Sequence, residues 1–121
     1  MPVHYFIDTQ NHIVLTVFRG VVTLNDINEQ TADLRDDPAF DPSFSELVDF
    51  SGVSEVRMDY AALRSWRAID PFSTSSKRAF VIGSQNSVYG AARMYQIMRS
   101  DEVRVEIVKT IGKASRYLAA K

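Results

Sequence analysis

The chain has 121 residues, no cysteine, and 14 Lys plus Arg against 15 Asp plus Glu, for a net charge of -1. That is the length of one ordinary domain, and 45% hydrophobic residues are enough to bury a core without staples. The charge balance excludes a field built for nucleic acid or anionic membrane, and the missing thiols exclude disulfides, thiolate metal sites and cysteine nucleophiles.

MPVHYFIDTQNHIVL lacks the basic start and unbroken apolar stretch of a signal peptide, and no segment approaches the ~18 apolar residues of a membrane span. The expectation is a cytoplasmic, single-domain protein over residues 1–121 without a membrane span. VHYFIDT and HIVLTVFRG read as two strands, the second with Ile13, Leu15 and Val17 alternating against Val14, Thr16 and Phe18. Gln10-Asn11 between them suits an antiparallel hairpin. TLNDINEQTADLRDD follows as a helix, with Thr23 and Asp26 in capping-box positions and Leu24, Ile27, Thr31 and Leu34 on one stripe. Asp36-Asp37-Pro38 ends it.

ELVDF has the short apolar look of a buried strand, and DYAALRSWRAID reads as a helix capped by Asp59, with Tyr60, Leu63 and Trp66 at helical spacing. After a serine-rich loop the pattern repeats as strand RAFVIG and helix SVYGAARMYQIMRS, then strand VRVEIVKT and helix IGKASRYLAA. Strands alternating with helices imply parallel pairing through right-handed crossovers, here after an antiparallel start. The predicted fold is α/β, a mixed sheet of about five strands in the order β-β-α-β-α-β-α-β-α.

Three stretches carry a family resemblance: FRGVVTLNDI, LVDFSGVSEVRMDYAAL and SVYGAARMYQIM. The chain resembles the SpoIIAA-like proteins of the STAS/SEC14 superfamily over nearly its whole length. That resemblance implies a mixed sheet with helices packed on it and, for the anti-sigma-factor antagonists, a serine-phosphorylation switch in an Asp-Ser-Ser-Gly type motif at the start of the second helix. Here the corresponding residues are Met58-Asp59-Tyr60-Ala61-Ala62, so Asp59 matches, Tyr60 replaces the serine, and the phosphosite is not carried over. The segment from Asp49 to Asp59 reads as a loop longer than the family's equivalent. The SEC14 branch implies an apolar ligand between helices and sheet.

Gly83-Ser84-Gln85-Asn86-Ser87 has one glycine and no lysine, so it is not a P-loop; Ser87 is expected to cap the following helix. Inside that helix Gly90 costs roughly 1 kcal/mol against alanine and calls for a packing reason. At ~100° per residue Val88, Ala91, Ala92, Met94, Tyr95 and Met98 fill a broad arc that Gly90 and Ile97 extend, leaving a narrow polar strip of Tyr89, Arg93 and Gln96. An arc this wide is covered by a neighbouring helix, a second copy of the chain, or an apolar ligand.

Asp49, at the end of a predicted parallel strand, and Ser51 just beyond it are either turn-capping groups or a polar site reached by Arg93 or Tyr89. No GxSxG accompanies Ser51, and His4 and His12, close across the first hairpin, lack the carboxylate pattern of a metal site. Arg64, Arg67, Lys77 and Arg78 flank Trp66, but Asp59 and Asp70 dilute their charge and Trp66 falls on the apolar stripe. The expectation is a non-enzymatic regulatory or interaction module, homodimeric, with no catalytic residue, metal, cofactor or nucleic-acid partner. A carrier or sensor of a small apolar or lipid-like ligand is the alternative. The candidate surface comprises Asp49, Ser51, Asp59, Tyr60, Trp66, Tyr89, Arg93, Met94 and Ile97.

Overall fold

The computed structural model describes residues 3–84 and 86–120. Its strands β1 (Val3–Asp8), β2 (Ile13–Thr23), β3 (Ser45–Arg57), β4 (Lys77–Val81) and β5 (Arg104–Val108) form one sheet in sequential order. β1 pairs antiparallel with β2, and the remaining pairings are parallel. The helices are α1 (Leu24–Arg35), α2 (Tyr60–Ile69), α3 (Asn86–Met98) and α4 (Ile111–Ala119).

Strands laid down in sequence by right-handed crossovers put their crossover helices on one face. Ile27 of α1, Leu63 of α2 and Val88, Ala92 and Tyr95 of α3 accordingly share one core with Phe18, Val48, Phe50 and Phe80 of the sheet. Among the described residues the other face carries α4 alone, which seats Ala114 and Leu118 on Leu47, Ala79 and Val81.

Local chemistry sets the boundaries. Thr23 and Asp26 form the expected reciprocal capping box, Asp59 accepts the N–H of Ala62 at 2.8 Å to start α2, and Asp70 caps its end. α3 begins at Asn86, so Ser87 lies inside its first turn and is not the cap; Gln85 lies outside the described residues.

Two sequence expectations change. The stretch read as a long loop after Asp49 is strand: β3 runs to Arg57 and pairs with the second half of β2, from Arg19↔Gly52 to Thr23↔Arg57. Register shifts on either side of Gly20, whose φ of 67 suits glycine, broke the alternation that reveals a strand. The first hairpin turns through Thr9 to His12, His4 pairs with Val17, and His12 stacks on Phe44 at 5.1 Å, so the two histidines stand at opposite ends of the hairpin.

Candidate functional site

α3 has a buried side and a bare one. Val88, Ala92 and Tyr95 are buried on the sheet. Gly90, Met94 and Ile97, at i, i+4 and i+7, share a stripe on which Met94 is 45% and Ile97 57% exposed. A Cβ placed on Gly90 meets nothing within 4 Å among the described residues, which do not supply the packing reason expected for this glycine. A neighbouring helix therefore does not cover this part of the arc. Tyr60, 57% exposed at the first position of α2, carries the Arg64 guanidinium 6.0 Å from its ring centre. The spacing predicts Tyr60 beside Leu63 and Trp66, but it falls at the edge of that stripe, where the chain has only just entered the helix.

Trp66 is half-buried, packed against the core. Its ring stacks on Tyr95 at 4.1 Å and lies 5.9 Å from Phe80. The space left between α2, α3 and the sheet is about 10 Å³, enough for roughly one water and far below the ~300 Å³ of a small-molecule pocket.

Asp49 and Ser51 do not join Tyr89 or Arg93. In β3 the side chain of Asp49 accepts the N–H of Ser51 at 2.9 Å and faces the groove beside α4, so the sheet separates it from α3. Ser51 is exposed, and its carbonyl would lie 3.1 Å from a Cβ on Gly83, a close approach that explains that glycine. Tyr89 instead lines a cleft of about 380 Å³ with Gly83, Ser84, Asn86 and Lys109, at the carboxyl ends of β4 and β5. Arg93 donates to Gln96, whose amide donates to the Val105 carbonyl at 2.7 Å. Among the described residues no group of three or more His, Asp and Glu side chains comes together as a metal shell.

A buried polar seam under the helices was missed from the sequence. The Gln30 amide donates to the Thr16 hydroxyl at 3.2 Å, and Thr16 donates to Glu46 at 3.0 Å. Glu46 lies 4.0 Å from Arg78, Arg78 donates to Asp70 at 2.6 Å, and Arg99 donates both to Asp70 at 2.8 Å and to the Tyr95 hydroxyl at 2.7 Å. Arg78 is 1% exposed, so the apparent basic concentration around Trp66 loses one member to the interior, and Arg67 pairs with Glu102.

Burial pushes the Glu46 carboxyl up to about 7 despite the pull of Arg78, because a carboxylate without water is disfavoured. A signal for the seam existed: Glu46 shares parity with Val48 and Phe50, and Arg78 with Phe80, so both polar side chains point to the helix-covered face.

No protein-family model matches the sequence, and no curated protein matches it either. Among solved structures, the chain is similar to an uncharacterised protein of the DUF3478 family with a SpoIIAA-like fold from Shewanella loihica PV-4, with a TM-score of 0.64 and 12% identity. That match covers 97% of this chain and 94% of the other. A structure described as Mglu aligns with a TM-score of 0.37 and 15% identity over 88% of this chain and 19% of that one. The architecture of this chain is the SpoIIAA-like fold, as the resemblance implied.

Proposed function

We propose that this chain is a non-enzymatic, regulatory interaction module of SpoIIAA-like fold that pairs with a second copy through α3. The observation that carries the reading is the bare stripe of Gly90, Met94 and Ile97. Large apolar side chains in water on one helical row, beside a glycine that admits a close backbone, are what a helix-packing surface requires. Methionine adds a contact that adapts to its partner. The shifted carboxyl of Glu46 is sealed in the interior, out of reach of a substrate, so this reading gives it a structural role.

Sedimentation velocity tests this. Wild-type protein is expected to sediment as a dimer, and Met94→Glu as a folded monomer, since a carboxylate would have to be buried unpaired in the interface. A wild-type monomer at high protein concentration, or a Met94→Glu dimer, removes the reading.

A further inference from the structure

The sheet face opposite α1, α2 and α3 is only half covered. α4 packs over β3 and β4, and beside it β1 and β2 leave a groove of about 720 Å³. Strand register orders its floor. Phe6, Leu15 and Leu47 form one row straight across three strands, and Phe6 is 65% exposed. The neighbouring rows carry Asp8 opposite Ile13 and Asp49 opposite Val17, so the two carboxylates occupy diagonally opposed corners of an apolar floor. Ile111 of α4, 45% exposed, forms the wall. Among the described residues the groove lining contains these two aspartates and no lysine or arginine, while His4, paired with Val17, stands just outside the lining in the row that holds Asp49.

From this geometry we infer that the groove is a docking site for a cationic amphipathic helix of another protein, whose apolar stripe covers Phe6, Leu15 and Leu47 and whose flanking Lys or Arg side chains reach Asp8 and Asp49. Two strands at ~4.8 Å spacing make a floor about 10 Å wide, the diameter of one helix, with Ile13 and Leu15 half-buried along its α4 side. From Ile13 to Val17 the floor runs about 13 Å, or roughly nine helical residues. Hydrogen bonds from the Asn11 side chain and backbone and from Gln10 hold Asp8 below the usual carboxylate range, so that corner keeps its charge. Asp49 accepts one N–H, from Ser51. A small ligand fits poorly, because the groove is an open shelf, whereas ligand sites bury most of their ligand. A second copy offering α3, with Arg93 beside Met94 and Ile97, would dock head to tail, a contact that does not close into a two-fold dimer.

The probe is a fluorescein-labelled synthetic peptide of about four helical turns with Leu at i, i+3, i+4 and i+7 and Lys elsewhere, compared with the same pattern carrying Glu. Fluorescence anisotropy should show one saturable Lys-peptide site per chain, weakened at least about tenfold by Phe6→Lys and severalfold by Asp49→Asn. Ile111→Lys serves as the second groove variant should Phe6→Lys fail the circular-dichroism check for folding. Amide NMR shifts should cluster at Leu15, Leu47 and Ile111 and spare Met94 and Ile97. The inference is overturned by no binding, equal binding of the Glu peptide, Lys-peptide binding unchanged by either groove variant, or shifts at the same amides from dodecyl maltoside monomer but not from the peptide. Self-association of the wild type that Phe6→Lys abolishes would assign the groove to a second copy and also overturn it.

Discussion

The two faces of the sheet are built on opposite principles. Under α1, α2 and α3 the face is sealed, and its interior includes Arg78, Arg99, Asp70, Glu46 and Thr16 among aromatic and aliphatic side chains. The face bearing α4 has an apolar floor with Asp8 and Asp49 at its corners, and Phe6 and Ile111 stand partly in water. The difference separates constraint from availability. A buried ion network fixes how helices dock on strands, because its members have partners in only one arrangement; bare apolar rows fix nothing until something covers them.

The largest test of this contrast is to break the seam. Arg78→Met leaves Asp70 and Glu46 without the guanidinium between them, and breaking a buried pair from one side costs about 3–5 kcal/mol. Urea unfolding should show a loss of that size, with the m-value retained if the variant still folds to the same compactness.

Next comes proton linkage at Glu46. Its folded-state value of about 7 lies above the ordinary 4.5, so the folded chain holds the proton more tightly. The stabilisation is full below pH 4.5 and is lost as pH rises through 7, a change on the order of 3 kcal/mol. Glu46→Gln should flatten that slope in denaturation curves measured across the window; an unchanged slope would mean that Glu46 is ionised throughout.

Smaller effects belong to the bare surfaces. Gly90→Ala should raise monomer stability by about 1 kcal/mol, since an added methyl meets nothing, while weakening any pairing that uses the glycine for close approach. Phe6→Ser should move the unfolding midpoint least, by about 0.5 kcal/mol, because that ring is mostly in water already. A loss of several kcal/mol there would show that the row is structural.

How legible these faces were depended on how local their chemistry is. The Thr23–Asp26 capping box, the Asp59 cap and the alternation in β2 are written within a few residues and survive into the structure. The seam joins residues as far apart as Thr16 and Arg99, and a lone Glu or Arg at the start of a strand looks like a solvent-facing residue until the parity of its neighbours is followed inward. The full length of β3 was hidden by the irregular pairing around Gly20, which broke the period. Of the candidate site, Met94 and Ile97 were readable from helical spacing, and both are bare. Asp49 was misplaced because β3 continues past it to Arg57, so it stands within the strand facing the groove beside α4 and not at a carboxyl end.

Pairing of two copies through α3 is open to cross-linking, since the chain has no native cysteine to compete. Residues near a two-fold axis meet their own symmetry mates. Under mild oxidation Met94→Cys and Ile97→Cys should yield disulfide-linked dimers, whereas Phe6→Cys, on the far face, should remain monomeric in non-reducing gels. Efficient linkage through Phe6→Cys with none at Met94→Cys or Ile97→Cys would contradict the account and move the interface to the other side of the sheet.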